Sequence, residues 1–386
     1  MKMLLPSTHY VDIWLDQIDA QTMVRQTHAA RYKNLLYTLK EPKELMRLTP
    51  LEWPEHLNNV ASLHSAVYFS SHSFAALWHD AVHIKPDVLE YYMVDDQSQS
   101  IVQSLIEAVV QQHVLIYIHN SETHTISLQK LFALNAMCQK VTIIVAPHAQ
   151  ATILDDRVWN QTHAIESVEI VLQNNARLTW LNNADQTNLN NFVARTQCVL
   201  EEQAYLSYGN ASKPARYSYH EWYVDLKGAQ SAVEHSGMYV LTDDQNYTLR
   251  TYQHHNGRDT KSTVAVKGLL HANAYFDYSG MITIAKTASG TIAHQENKNM
   301  LFSSLAVARS EPSLQVLTND VQCSHGSATG YFDPEQILYA QTRGIELKEI
   351  YSMLTKAFCS DMIALFDTTH QDDFYKFVQE SVLEKK

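Results

Sequence analysis

The apolar positions of this chain change period twice. In "HAARYKNLLYTLK" (28–40) they form a stripe, and in "SQSIVQSLIEAVVQQ" (98–112) Ile101, Leu105, Ala108 and Val109 share one helical face behind Ser98 as a cap. Pro42, Pro50, Pro54 and Pro86 interrupt this part. The pattern predicts a mostly helical N-terminal domain over 1–112. From 113 the period drops to two and stays there until 330. "HVLIYIHN", "HTISLQKL", "KVTIIVAP", "NARLTWLNN", "QAYLSYGNA", "STVAVKG", "NAYFDYSGMITIA" and "SLQVLTND" are short β-type runs separated by turn residues.

Short strands suit a sandwich or a solenoid, and a repeat separates the two. Ala151, Ala176, Ala204 and Ala232 enter successive strands 25 to 28 residues apart, the length of one coil of a parallel β-helix. Glycine is scarce, 10 in 386 residues, whereas two-residue hairpins want glycine at positive φ. Asparagine, which tolerates the left-handed conformation, fits solenoid corners. The expected core is therefore a mainly β parallel solenoid over 113–330.

The period returns to 3.6 over 331–386. In "DPEQILYAQTRG" Asp333 is an N-cap, Pro334 takes the first turn, Gln336 stands at the capping-box position, and Gly344 stands where a C-cap glycine belongs. A second helix follows, with Ile350, Met353, Leu354, Ala357 and Phe358 on its expected apolar face. "DDFYKFVQESVLEKK" predicts a further short helix carrying Phe374, Phe377 and Val378.

Charge and composition narrow the function. The net charge is −12, with no stripe of Lys and Arg, which argues against nucleic acid as a ligand. The longest apolar runs fall well short of the roughly 20 residues of a membrane helix. After Lys2 an apolar run of only three residues precedes Pro6, too short for a signal-peptide core, and the four cysteines form no C-x-x-C pair. The expectation is a cytoplasmic protein with free thiols.

"DVQCSHGSATG" (320–330) places Cys323 and His325 on one strand face, since side chains at i and i+2 point the same way. Thiolate and imidazole suit zinc or iron–sulfur species, but such sites want about four ligands, so this pair is half a site. Two other readings stand beside it: Cys323 as a small buried hydrophobe, and a Cys–His nucleophile. "NGRDTKST" (256–263) lacks the glycines of a phosphate loop and reads as a turn. His79 and His83 in "HDAVH" lack the glutamate of a zinc-protease helix and read as ordinary histidines.

Specific stretches carry more. "KGLL" (267–270), "QENKNMLFS" (295–303), "EPSLQVL" (311–317), "DVQCSHGSATG" (320–330) and "DPEQILYAQTRGI" (333–345), in this order and spacing, resemble the SufB/SufD family of iron–sulfur cluster assembly scaffolds, its SufD branch in particular. "PKELMRLTPLE" (42–52) resembles the family's N-terminal segment more loosely. The resemblance implies a right-handed parallel β-helix between helical regions, in a non-catalytic subunit. It implies a SufB-like partner, a SufC-like ATPase bound through the C-terminal helices, and a homodimer when the chain is alone. On that basis Tyr339, Arg343, Gly344 and Ile345 are candidate partner-binding residues. His325, with Cys323 beside it, is the candidate half-site at the interface with the SufB-like chain. No cofactor is expected in the isolated chain, and iron or a nascent cluster is expected in the complex. Two other classes remain open: a β-helix carbohydrate-active enzyme, which needs carboxylates paired on one solenoid face, and a purely structural β-helix dimer.

Overall fold

Strands of period two, joined by corners too short for a crossover helix, stack in parallel only if the chain winds as a coil. The computed structural model describes residues 64–69, 112–118, 121, 125–128, 138–157, 159 and 161–363. Its first nine strands are β1 (His64–Phe69), β2 (Gln112–Ile118), β3 (Thr125–Ser127), β4 (Cys138–Val145), β5 (Gln150–Asp155), β6 (His163–Leu172), β7 (Arg177–Asp185), β8 (Asn191–Leu200) and β9 (Tyr205–Lys213). The next eight are β10 (Tyr217–Leu226), β11 (Ala232–Leu241), β12 (Asn246–His255), β13 (Lys261–Leu270), β14 (Tyr275–Ile284), β15 (Thr291–Leu301), β16 (Val307–Val316) and β17 (Val321–Gly330). Two helices follow, α1 (Pro334–Thr342) and α2 (Leu347–Ile363).

From β2 onward the strands alternate between two sheets. One has the order β1-β2-β4-β6-β8-β10-β12-β14-β16, the other β17-β15-β13-β11-β9-β7-β5-β3, and all pairings are parallel. This is the parallel β-solenoid that the repeat predicted. Register partners one coil apart are 26 residues apart at Asn191 and Tyr217 and 32 apart at Tyr275 and Val307.

The core is the space between the two sheets. Ile170, Cys198 and Val224 form one inward column and Leu172, Leu200 and Leu226 the next, all buried. Each buried leucine contributes about 1.5–3 kcal/mol by leaving water. Inward polar groups find partners within and across the lumen: the hydroxyls of Thr251 and Tyr278, on adjacent strands of one sheet, lie 3.0 Å apart, and Gln253 Nε2 donates across to Gln295 Oε1 on the other sheet at 3.1 Å.

The small-residue repeat marks a corner, in place at Ala176 and Ala204 and displaced by one or two residues at Ala232 and Ala151. Ala149, Ala176 and Ala204 precede register partners, as do Ser231, Thr260 and Thr291, and all six are buried. Ala176 and Ala204 are members of the column, whereas Ala151 and Ala232 lie just inside their strands. The hydroxyls of Ser231, Thr260 and Thr291 bend back to the carbonyls of Gly228, Gly257 and Ala288. Just before each of these residues the backbone turns left-handed, at His148, Asn175, Gln203, Gln230, Asp259 and Gly290. Each of those amides donates to the next coil, as Gln203 N does to Ala229 O at 2.9 Å. "NGRDTKST" is one of these corners.

The helices predicted over 28–40 and 372–386 lie outside the described residues, as does the one predicted over 98–112 except for Gln112, which opens β2. Within the segment expected to be helical, β1 is a strand that extends the nine-stranded sheet by pairing with β2.

α1 follows its caps. Asp333 accepts from Glu335 N at 2.9 Å, and Gly344, at φ +82°, lets Ile345 N reach Ala340 O while Gly344 N reaches Gln341 O. This is a Schellman ending. In α2 the buried stripe is rotated from the expected one. Ile350, Thr355, Cys359 and Met362 are buried, Phe358 is half-buried, and Met353 and Ala357 face outward. The stripe rests on the outside of the eight-stranded sheet, against Leu181, Ala211, Met238, Val240 and Leu269.

Candidate functional site

Among the described residues, β16 and β17 are the last strands of their sheets, so no described coil lies above theirs. Side chains that would be core one coil earlier are exposed there. In β16, Leu314 is 37 % and Val316 40 % exposed, although their register partners Ile282 and Ile284 are fully buried.

Cys323 and His325 stand on this terminal strand. Cys323 packs, half-buried, with Val321 against Ile282, Ile284, Ala288 and Ala293. It therefore points into the lumen, and strand alternation gives His325 the same face. Ser324, between them, points the other way and bonds His294 Nδ1 through its Oγ at 2.8 Å. In register, Cys323 lies above Ala293 and His325 above Gln295. The ring of His325 is exposed.

Partial burial raises the Cys323 thiol above the ordinary cysteine range, so it is a thiol at neutral pH and must give up a proton to ligate metal. No set of three or more Cys, His, Asp or Glu side chains among the described residues converges on a metal position. The pair supplies two donors on one exposed face. The buried-hydrophobe reading describes Cys323 in part, since the residue both packs and remains reachable.

The second group of predicted residues lies at the end of α1. Tyr339 is 63 % exposed, and Arg343 Nη2 donates to its hydroxyl at 3.3 Å with the guanidinium 5.0 Å from the ring centre. Arg343 is the C-cap, Gly344 the left-handed residue after it, and Ile345 is half-buried. Their placement ends the helix and leaves Tyr339 outward. α1 buries none of its residues, and Leu338 is 61 % exposed.

All the large apolar side chains exposed among the described residues fall between Ile292 and Met353. The sequence reading missed Leu314, Val316 and Leu317, because alternation marks a strand face as apolar without saying whether another coil covers it. It also missed Lys267, whose ammonium is buried on the outside of the solenoid.

Fold and site together define a class: a two-sheet parallel β-solenoid whose C-terminal coil and helices carry its uncovered apolar surface. Residues 124–358 match the family model described as "SUF system FeS cluster assembly, SufBD core domain". The chain belongs to the SufBD family of iron–sulfur cluster assembly proteins. It is 26 % identical over 188 residues to the iron–sulfur cluster assembly protein SufD of Escherichia coli, covering 49 % of this chain and 44 % of that protein. A SufBD family protein of Mycobacterium leprae is 27 % identical over 230 residues, 58 % of each chain. One from Synechocystis is 22 % identical over 394 residues, covering 93 % of this chain and 81 % of the relative. For the first two, the chain spans about half the relative's length.

Proposed function

We propose that this chain is a SufD-like scaffold subunit in the cytoplasm, and that its terminal coil pairs with a SufB-like chain to make a cluster-assembly site between them. The observation that carries this reading is the coincidence of two features on one coil. β16 and β17 hold both the uncovered core-type residues Leu314 and Val316 and the two donors Cys323 and His325. Among the described residues no third donor joins Cys323 and His325, so in this reading a second chain supplies the remaining ligands.

His325 presents an exposed imidazole ring to iron. Cys323 becomes a ligand when iron displaces its proton, which its apolar neighbours otherwise retain. The iron or nascent cluster is cargo, and the chain contributes position and donors with no bond-making residue of its own. The exposed face of α1, with Leu338 and Tyr339, and the outer face of α2, with Met353, form a second surface, which we assign to the SufC-like ATPase.

Co-expression with a SufB-like chain and a SufC-like ATPase tests the pairing. A tagged wild-type chain recovers both. The Leu314→Asp/Val316→Asp double variant loses the SufB-like chain at least about tenfold, because two buried carboxylates would lack partners, yet retains the ATPase. Recovery of all three proteins by the double variant would overturn the assignment of the terminal coil.

A further inference from the structure

Among the described residues of the C-terminal half Lys267 is the most buried amine, 5 % exposed, and it points away from the lumen toward α2. Its Nζ donates to Phe358 O at 2.6 Å and to Asp361 Oδ1 at 2.5 Å, and it sits 4.9 Å from the centre of the Phe358 ring. A helix carbonyl, a carboxylate and an aromatic face thus converge on one cation. Apolar packing alone already holds α2 through Cys359 and Met362. It does not fix where along its axis the helix sits, whereas a directed ammonium does.

The next residue faces the opposite way. Gly268 points into the lumen, where an added Cβ would lie 2.6 Å from Asn299 Oδ1. The glycine leaves room for Asn299, which is 3 % exposed and donates through Nδ2 to Asn297 Oδ1 at 2.7 Å and to Thr329 Oγ1 at 3.2 Å. Asn297 in turn donates to Val266 O on β13 at 3.2 Å. These side chains bind β13 to β15, and β15 to β17, across three adjacent strands. Thr329 shares its strand and its face with Cys323 and His325.

We propose that Lys267 and Gly268 form a two-sided joint. Lys267 fixes the position of α2 on the outside of the sheet. Gly268, by admitting Asn299, ties the same strand to the terminal strand that bears Cys323 and His325. A displacement of α2 by a bound partner is thereby transmitted to β17. In this joint both are positioning residues, and neither is a ligand. The role in assembly rests on the function proposed above, but the joint itself is a property of the single chain.

Hydrogen exchange on the isolated chain tests it without any partner. Lys267→Met keeps the apolar stem and removes the charge. It is expected to speed exchange in α2 by about tenfold or more, and in 327–330 by several-fold. Asn299→Ala is expected to loosen 327–330 and leave α2 unchanged. In the Asn299→Ala background, Lys267→Met then adds nothing further at 327–330, because the connection is already cut. Asp361→Asn weakens the same clasp from the helix side, repeats the pattern at smaller amplitude, and serves if Lys267→Met does not fold. Unchanged exchange at 327–330 in both clasp variants, or additive effects in the double variant, would overturn the joint. Loss of pairing in the co-expression experiment with this pattern intact would instead count against the proposed function alone.

Discussion

His235 is 1 % exposed and leaves both ring nitrogens without a hydrogen-bond partner, its ring edge-on to Tyr208 at 4.9 Å and 4.4 Å from Trp222. Burial pushes its pKa down to about 3, with neighbouring His220 adding to the effect. The unfolded chain takes up the proton near pH 6.5, so between there and about pH 3 the unfolded state binds more protons and stability falls as pH falls. Between pH 7.5 and 5.5 this one residue costs about 1 kcal/mol. His235→Phe keeps the ring and removes the titration. Urea unfolding at the two pH values should show the variant losing about 1 kcal/mol less than wild type, and an equal loss would contradict neutral burial. The cysteines divide in a similar way. Cys138, Cys198 and Cys359 are fully buried, and burial raises Cys359 to about 12, which leaves Cys323 as the accessible thiol of the four. Residue chemistry made Cys323 and His325 a possible half-site. The surrounding stretches, rather than the pair, pointed to its use.

At the scale of the element, the coil is set by its corners. L-residues in the left-handed region cost about 1–2 kcal/mol each, and this chain accepts that conformation at seven non-glycine positions among the described residues. At five of the seven, His148, Asn175, Gln203, Gln230 and Asp259, the amide so turned bonds the neighbouring coil. Ala272, exposed at φ 47°, has no side-chain hydrogen bond to offset the strain. Ala272→Gly is expected to gain up to about 1 kcal/mol once the extra flexibility of glycine is subtracted, read as a higher urea midpoint at unchanged slope. A lower midpoint would show that the corner is not strained. The sequence made these coils legible because small residues recur at coil length. The register slipped by one or two residues at Ala151 and Ala232 because an alanine also stands just inside each of those strands, and only the hydroxyl-bearing Ser231, Thr260 and Thr291 continue the column. The capping residues located α1 correctly. The face of α2 was misread because Thr355 and Cys359 look less apolar than Met353, yet they lie where the sheet is.

At the scale of the molecule, exposed apolar surface is distributed unevenly. Ile292, Leu305, Val307, Leu314, Val316, Leu317 and the outward residues of α1 and α2 lie within one stretch of the chain, while the preceding coils bury theirs. Exposed apolar surface of this kind supports the docking of another chain proposed above. The fold class was legible from the sequence because the period-two pattern runs through the whole core. The end of the solenoid was not, since the last coil has the same alternation as the covered ones and differs only in having no described coil above it. The net charge of −12 and the loosely matched N-terminal segment add nothing to the assignment of this surface. The most direct measurement is anaerobic cluster reconstitution on the purified three-protein complex with ferrous iron and sulfide, read as cluster absorbance and iron per complex. His325→Ala is predicted to leave the complex intact on size exclusion while lowering cluster loading at least about tenfold, with Cys323→Ala lowering it less. Full cluster loading on an intact His325→Ala complex would contradict the half-site.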